Sequence, residues 1–318
     1  MSTEIFDVIT TGRVGIDLYP LQSGVPLDEV SSFARFLGGS ATNVAVAAAR
    51  YGRRSAVITR TGSDPFGRYV HEALRELSVD DRWVTDVESL PTPITFCELF
   101  PPDRFPIYFY RWPKAPDMEI YPEELDLDAI AAARVFWVTV TGLSAEPSRS
   151  AVLAALEARQ GNGFTVLDLD YRPTFWSSSD EASRWANEAL RHVNVAIGNI
   201  EECEMAVGTR DAPSAAAALV EHGVELAVVK QGPKGVLAVR GTEVVQADPL
   251  EIEVVNGLGA GDAFGGALCH GLLADWELGR AIAFANAAGA IVASRLACAQ
   301  AMPDEGEVMA LMKVARHA

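Results

Sequence analysis

One glycine-rich segment of the sequence has residue types suited to phosphate chemistry. It reads NGLGAGDAF at positions 256–264 and lies between the strand-like EIEVV and an apolar segment with helical periodicity. Glycines allow tight turns, and the first N–H groups of a helix lack internal partners, so such a loop forms an anion pocket. Asp262, at its mouth, is placed to accept a proton from a hydroxyl that attacks a phosphoryl group, with Mg²⁺ stabilising the charge. The segment therefore indicates phosphoryl transfer; the alternative is a glycine turn in which Asp262 only interacts with the helix dipole.

A second glycine segment, GGSATN at positions 38–43, also leads into a helix-like run. Gly38 and Gly39 allow a ligand to approach the backbone, and Asn43 offers both a donor and an acceptor to a polyol. Asp17, shortly after the first predicted strand, can accept hydrogen bonds from sugar hydroxyls. Taken singly, each of these positions is better explained as a helix cap or a turn residue.

The elements that must position these residues alternate along the chain. Short β-branched runs alternate with amphipathic, alanine-rich segments, which is typical of βαβ units around a mostly parallel sheet flanked by helices. The predicted strands are Asp7–Thr11, Ser55–Arg60, Val135–Val140, Phe164–Leu169, Val193–Ile197 and Leu226–Lys230. The predicted helices are Asn43–Tyr51, Arg68–Leu77, Ser148–Ala158, Arg184–His192, Ser214–His222, Ala263–Leu273 and Arg280–Ser294.

Two segments break this alternation, at about 13–36 and 91–118. The second contains ITFCELF and IYFYRW, rich in aromatic and β-branched residues, and neither segment is followed promptly by a crossover helix. We predict a small antiparallel flap, or lid, on one edge of a single α/β domain that covers residues 1–318. The aromatic side chains of the flap either stack on a ligand or fill the flap's own small core.

The composition excludes several classes of protein. The net charge of -17 repels polyanions, so no nucleic-acid partner is expected. The four cysteines are scattered, as in proteins of a reducing cytosol, and the histidines form no cluster. No signal peptide or membrane-length apolar run is present, which predicts a cytoplasmic protein without a membrane partner.

The order of these motifs resembles that of ribokinase-like (PfkB-type) carbohydrate kinases. The shared elements are an N-terminal G-x-x-x-x-D ending at Asp17, GGSATN, the NIEE segment at 199–202, GAGDAF, and Asn286. The resemblance covers essentially the whole chain and implies an α/β core with a β-lid, with the sugar between lid and sheet edge and ATP along the C-terminal half. It makes Asp262 the base and Gly259, Ala260 and Gly261 the anion hole.

The same resemblance implies the nucleotide and metal contacts. Asn199 and Glu202 match a motif that organises phosphates and Mg²⁺, with Glu202 acting on the metal through water. Lys230, Gly232 and Gly235 match a K-x-G-x-x-G stretch beside the nucleotide, and Asn286 matches a residue near the adenine. The alternative for Asn199 and Glu202 is a helix cap with its first-turn acid.

One segment departs from the family pattern. Relatives often have D-T-x-G-A-G-D, where the leading residues contribute to a monovalent-cation site, but this chain has Asn256-Gly257-Leu258 before GAGD. The leading carboxylate and hydroxyl are therefore absent, so the family pattern does not decide whether a monovalent cation activates this chain, whereas the base is retained.

The lid suggests the kind of sugar. Tyr110, Arg111 and Lys114 lie in YFYRWPK, and Arg172 follows the strand VLDLD. An arginine matches a carboxylate with two parallel hydrogen bonds, so these residues predict an acidic sugar; the alternative is that the lid charges are only solvated. The YFYR stretch resembles the Y-x-R element of 2-keto-3-deoxygluconate kinases. The lid and NGLGAGDAF together are most similar to kinases of a six-carbon deoxy keto acid formed in myo-inositol breakdown.

Three alternative functions differ in the residues that they require. A ribose- or fructose-type kinase of the same family needs no acid-binding arginine. A nicotinamide-dependent oxidoreductase needs G-x-G-x-x-G after the first strand, which residues 12–17 lack. A regulator that only binds a sugar acid would not require Asp262 and an intact GAG. An apolar edge of the flap would also allow a homodimer through the lids.

Overall fold

The fold is built around one large, mostly parallel sheet. A computed structural model describes residues 5–315. Its strands are β1 (Val8–Thr11), β2 (Gly15–Pro20), β3 (Phe33–Gly38), β4 (Ser55–Gly62), β5 (Val79–Asp80), β6 (Val84–Val87), β7 (Ile94–Cys97), β8 (Ile107–Tyr110), β9 (Val135–Thr139), β10 (Phe164–Asp168), β11 (Val195–Asn199), β12 (Leu226–Lys230), β13 (Val236–Arg240) and β14 (Glu243–Ala247).

The order of strands in the main sheet is β14-β13-β12-β11-β10-β9-β1-β4-β5, and β6 pairs with β4. Neighbours from β12 to β5 run parallel, and β13 and β14 form an antiparallel hairpin at one edge. Parallel strands require crossover connections, which the helices supply. The predicted α/β fold with a mainly parallel sheet is confirmed.

Helices cover both faces of this sheet. They are α1 (Ser40–Arg50), α2 (Pro65–Glu76), α3 (Leu127–Ala132), α4 (Ser148–Arg159), α5 (Ser179–Leu190), α6 (Ile200–Val207), α7 (Ala212–Glu221), α8 (Ala260–Leu273), α9 (Leu278–Ala293) and α10 (Glu305–Ala315). Strand β9 shows why both faces are covered, because alternate side chains enter different cores. Phe136 and Val138 pack with α4 to α7, whereas Val135 and Trp137 pack with α1, α8 and α9. No helix within residues 5–315 is long and apolar enough to span a bilayer.

A second sheet of four strands, β3-β2-β7-β8, forms the lid. Its strands pair antiparallel except for β2 and β7, which run parallel. Strands β2, β7 and β8 lie within the two segments predicted to form a flap, and β3 extends two residues beyond the first of them. The inner face of the lid carries Asp17, Thr95 and Phe109, and its outer face carries Leu18, Phe96 and Tyr110.

Most predicted elements are present, and the differences have local causes. Helix α5 begins at Ser179 rather than Arg184 because the Ser178 hydroxyl accepts the Glu181 N–H and caps it. Helix α1 begins at Ser40, directly after the glycine pair. The prediction omitted the β13–β14 hairpin, whose β14 alternates between half-buried and exposed residues and therefore lacks a continuous apolar run.

Candidate active site

The candidate site lies at the carboxyl ends of the parallel strands. Arg13 follows β1, Thr141 follows β9, Asp170 follows β10, and Asn199 and Lys230 end β11 and β12. In open parallel sheets this edge, outside the carboxyl ends of the strands, is where ligands bind. The lid lies over it, so the site is formed between the main sheet and the inner face of the lid.

Asp262 lies in the first turn of α8 and is held by two side chains from the start of α1. The Ser40 hydroxyl donates to its Oδ1 at 2.9 Å, and Asn43 Nδ2 donates to its Oδ2 at 2.8 Å. Burial raises the pKa of Asp262 above its ordinary value, against the hydrogen bond from Asn43. A carboxylate in this setting is fixed in orientation and is a stronger proton acceptor than one in water.

The glycines before Asp262 shape the N-terminus of α8. Gly259 caps the helix with φ +78°, and a Cβ there would lie 2.6 Å from Cys298 Sγ. Gly261 leaves space beside the Lys230 ammonium, which lies 3.1 Å from the position of a Cβ. The free N–H groups of a 14-residue helix and a half-buried cation therefore lie at one place, as an anion site requires.

The second glycine pair allows Asp17 to approach α1. A Cβ at Gly38 would overlap the Asp17 carboxylate. Gly39 has a φ of +104°, and a Cβ at this position would overlap the backbone of Arg13. The Tyr19 hydroxyl donates to Asp17 Oδ2 at 2.6 Å. Burial raises the pKa of Asp17 to about 6 despite this hydrogen bond.

Arg13 is a pocket residue that the sequence analysis missed. Its Nη2 contacts Asp170 Oδ2 at 2.9 Å, and its Nε donates to Thr141 Oγ1 at 3.3 Å. Arg172 Nη2 contacts Asp170 Oδ1 at 2.8 Å. Burial alone would raise the pKa of Asp170, but the two arginines more than offset burial and hold it below its usual range. An arginine directly after the first strand, inside the motif that ends at Asp17, was the available signal.

These residues line one small pocket. Its accessible volume is 70 Å³, and it lies under the inner face of the lid. The lining residues are Arg13, Asp17, Tyr19, Gly39, Ser40, Asn43, Thr95, Ile107, Phe109, Arg172, Leu258, Gly259, Asp262 and Cys298.

Three residues predicted to bind substrate lie outside that pocket. Tyr110 is on the outer face of the lid, 62% exposed, because side chains alternate along β8 and Phe109 takes the inner position. Arg111 Nη2 bonds both oxygens of the fully buried Asp117 at 2.9 Å, and breaking such a buried pair costs about 3–5 kcal/mol. Lys114 pairs with Glu119 at 2.6 Å. The structure does not support these three as pocket contacts; they line a neighbouring cleft of 600 Å³.

Asn199 and Glu202 form a capping box at the start of α6. Asn199 Oδ1 accepts the N–H of Glu202 at 2.9 Å, and Glu202 Oε2 accepts the N–H of Asn199 at 2.7 Å. The cap interpretation is therefore correct, and it leaves Glu202 Oε1 at 3.7 Å from Arg172 Nη1. This oxygen is hard and carries charge, so it fits a Mg²⁺ ion held through water.

Lys230 is half-buried beside carboxylates. Burial alone would lower the pKa of Lys230, but Asp168 and Glu202 raise it above its usual value, so the ammonium is retained. Burial raises the pKa of Asp168 to about 8, with Lys230 opposing the rise. Gly232 and Gly235 turn the chain from β12 to β13 with positive φ, and a Cβ at Gly235 would overlap the Ala247 carbonyl.

An apolar cleft of 360 Å³ lies further along α9. Val245, Leu250 and Met312 are among its lining residues, together with Asn286, whose Nδ2 donates to the Asp248 carbonyl at 2.7 Å. Gly289 packs against Ala260, as a Cβ at Gly289 would lie 2.9 Å from the Ala260 carbonyl oxygen. The cleft therefore begins about one helical turn from the anion site.

The segment that departs from the family pattern is held by its asparagine. Asn256 is fully buried; its Nδ2 donates to the Leu296 carbonyl at 2.8 Å, and its Oδ1 accepts the Leu258 N–H at 3.1 Å. Both ends of the amide are thus engaged in holding the loop that precedes the anion site.

A half-buried carboxylate beside an open helix N-terminus and a half-buried lysine is an arrangement suited to phosphoryl transfer. Residues 6–305 match the pfkB family carbohydrate kinases, and the chain belongs to that family. It is 33% identical to the 5-dehydro-2-deoxygluconokinase of Listeria monocytogenes serovar 1/2a (strain EGD-e), with 96% of each chain covered. It is 30% identical to the protein of the same name in Bacillus subtilis (strain 168), covering 97% of this chain and 96% of that one.

Solved structures agree with this assignment. The fructokinase of Vibrio cholerae O395, solved with fructose, ADP and a calcium ion, superposes with a TM-score of 0.83 at 25% identity. The superposition covers 96% of this chain and 99% of the fructokinase. The ribokinase-like fold and the assignment to sugar kinases, both expected from the sequence, are confirmed.

Proposed function

We propose that this chain phosphorylates a hydroxyl of 5-dehydro-2-deoxygluconate with ATP, in myo-inositol breakdown, with Asp262 as the base. The observation that carries the proposal is the position of Asp262, fixed by Ser40 and Asn43 at the anion site and facing a pocket that also holds two arginines. The substrate follows from the curated relatives, which bear the name of that kinase across nearly the whole chain.

The pocket residues divide between the two ends of such a substrate. Asp17, with Gly38 and Gly39 clearing its approach, and Asn43 bind hydroxyls, because carboxylate and amide oxygens accept from them. Arg172 offers an ion pair to the acid group. Asp262 takes the proton of the attacking hydroxyl, so that hydroxyl must lie within hydrogen-bond distance of the Asp262 carboxylate. Closure of the lid excludes water.

The nucleotide follows the line from the anion site to the apolar cleft. The N–H groups at Gly259, Ala260 and Gly261 receive the γ-phosphate, and the Lys230 ammonium adds positive charge beside them. The adenine occupies the cleft beside Asn286, with Gly232 and Gly235 shaping its edge. Asn199 and Glu202 would hold Mg²⁺ through water, and the ion would neutralise charge on the phosphates. The Asn256 amide holds the loop that precedes the anion site.

We also propose that the chain forms a homodimer through the outer face of the lid, and that it acts in the cytoplasm. Phe33, Tyr108 and Tyr110 are 36%, 41% and 62% exposed on this face, and an apolar sheet face of this kind favours pairing with a second copy. The cysteines of the described residues are all unpaired and buried, in agreement with a reducing compartment. Sedimentation of the Tyr110→Asp variant as a monomer, with the wild type as a dimer, would support the lid interface.

The experiment that tests the function is a coupled assay of ADP release with ATP and Mg²⁺. The acceptors are 5-dehydro-2-deoxygluconate, 2-keto-3-deoxygluconate, ribose and fructose. We expect the highest kcat/KM with the first. Preference for 2-keto-3-deoxygluconate would retain a sugar-acid kinase with another substrate, and preference for ribose or fructose would reject the acid.

A further inference from the structure

The buried arginine at the base of the pocket, Arg13, has one nitrogen that the protein does not use. Nη2 bonds Asp170 and Nε bonds Thr141, at 2.9 and 3.3 Å. Among the contacts of residues 5–315, Nη1 makes no hydrogen bond, and it is not one of the unpartnered polar atoms that are closed off from solvent. Arg13 itself is only 7% exposed, so Nη1 is a donor that only an occupant of the pocket can reach.

The guanidinium is held rigidly. Asp170 and Thr141 fix its edge, while the rings of Phe109 and Phe175 lie 5.6 and 5.9 Å from its central carbon. Phe109 belongs to the inner face of the lid, so lid closure places an aromatic ring against this cation. A rigid, partly desolvated arginine loses little entropy when it binds, which makes its remaining donor an effective contact for an anionic oxygen.

Arg111, the lid arginine that the sequence predicted to bind the acid, is engaged differently. Arg111 neutralises Asp117, which is fully buried and has no other ion-pair partner among the described residues. Arg111 also lines the neighbouring cleft and not the pocket that contains Asp17 and Asp262. A substrate in contact with Asp262 therefore meets Arg13 and Arg172 first.

We propose that Arg13 determines the specificity for an acidic sugar, with its Nη1 donating to the carboxylate of the substrate beside Arg172. This assignment rests on the proposed function as a sugar-acid kinase. It assigns recognition of the acid group to the segment between β1 and β2 and not to the exposed end of the lid. A neutral sugar has no negatively charged group that could form an ion pair with Arg13.

The test compares Arg13→Gln with the wild type on 5-dehydro-2-deoxygluconate and on fructose. The glutamine removes the charge and the fork, while Asp170 keeps Arg172 and Thr141 as partners. We expect the ratio of kcat/KM for the acid over fructose to fall about 10- to 100-fold, mainly through KM of the acid, with KM of ATP unchanged. Arg13→Lys keeps a charge for Asp170 but cannot hold two oxygens at once, so it should lose about tenfold.

Arg104→Gln is the matched control, since Arg104 is an exposed lid arginine that stacks on Phe100 away from the pocket, and its ratio should equal that of the wild type.

If Arg13→Gln and Arg13→Lys keep the wild-type ratio, the inference is wrong and the kinase assignment stands. If Arg111→Gln alone collapses the ratio, the lid arginine reads the acid and the inference is also wrong. A wild-type enzyme that does not phosphorylate the acid overturns both this inference and the proposed function. Circular dichroism melting shows whether Arg13→Gln is folded; if it is not, Arg13→Lys decides.

Discussion

Replacing Asp262 by Asn removes the proposed base and almost nothing else. The amide has the same shape and can still accept from Ser40, although its Nδ2 then faces the Nδ2 of Asn43 until one of them rotates. Loss of one neutral hydrogen bond costs about 1 kcal/mol. General base catalysis contributes about 10²- to 10⁴-fold, which corresponds to about 3–5 kcal/mol in the barrier. The chemical effect therefore exceeds the structural one.

The stability of this variant gives a second, opposite signal. Because burial raises the pKa of Asp262, the folded protein disfavours the ionised form at neutral pH, and a neutral amide relieves that cost. We expect a melting temperature equal to or above that of the wild type, with unchanged ATP affinity by calorimetry and kcat reduced at least 100-fold.

The matched control is Asp211→Asn at an exposed helix cap. Asp211 accepts the Ser214 N–H at the start of α7 and lies far from the pocket, so its variant should keep the wild-type kcat. If Asp262 only interacted with the helix dipole, Asp262→Asn would keep kcat and lose about 0.3–1 kcal/mol of stability. That pattern would refute the assignment of the base.

Three further predictions follow from neighbouring residues. Below pH about 6 Asp17 is protonated and accepts fewer hydrogen bonds, so KM of the sugar acid should rise as pH falls, approaching tenfold per pH unit. Asp17→Asn should remove this pH dependence of KM. An equal dependence in both proteins would exclude Asp17 as its source. Gly259→Ala should abolish most activity and destabilise the fold, because the added Cβ would contact Cys298. Gly208 has a φ of +79° and open space around it, so Gly208→Ala should lower the free energy of unfolding by only about 1 kcal/mol. Equal effects of the two variants on melting temperature and kcat would contradict this prediction. Lys230→Met should raise KM of ATP about tenfold or more at saturating sugar, and an unchanged value would place the ammonium outside the phosphate site.

The fold was predictable where strands are buried on both faces. Val135–Thr139 and Leu226–Lys230 lie between two helix layers, so they read as continuous apolar runs with little ambiguity. Helix starts were less certain because a cap is a single residue, as Ser178 shows. The β13–β14 hairpin escaped notice since an edge strand with one solvated face carries a weaker pattern.

The site was predictable where glycines and polar residues adjoin strand ends. Asp262, Asn43 and Asp17 lie together because glycine pairs allow the backbone segments to approach one another. Arg111 could not be placed from its sequence, because its partner Asp117 is buried only in the tertiary structure. Tyr110 lies on the outer face of the lid because consecutive strand residues alternate between faces, and the face of a strand could not be read from its sequence.

The most direct test of the central claim is a competition assay in which two acceptors are present in the same reaction. The enzyme receives equimolar 5-dehydro-2-deoxygluconate and fructose with limiting ATP and Mg²⁺, and phosphorus NMR identifies the phosphorylated product. A phosphorylated sugar acid as the main product, lost in Asp262→Asn, is the predicted result. A phosphorylated fructose as the main product, or ATP left unconsumed, would contradict the account.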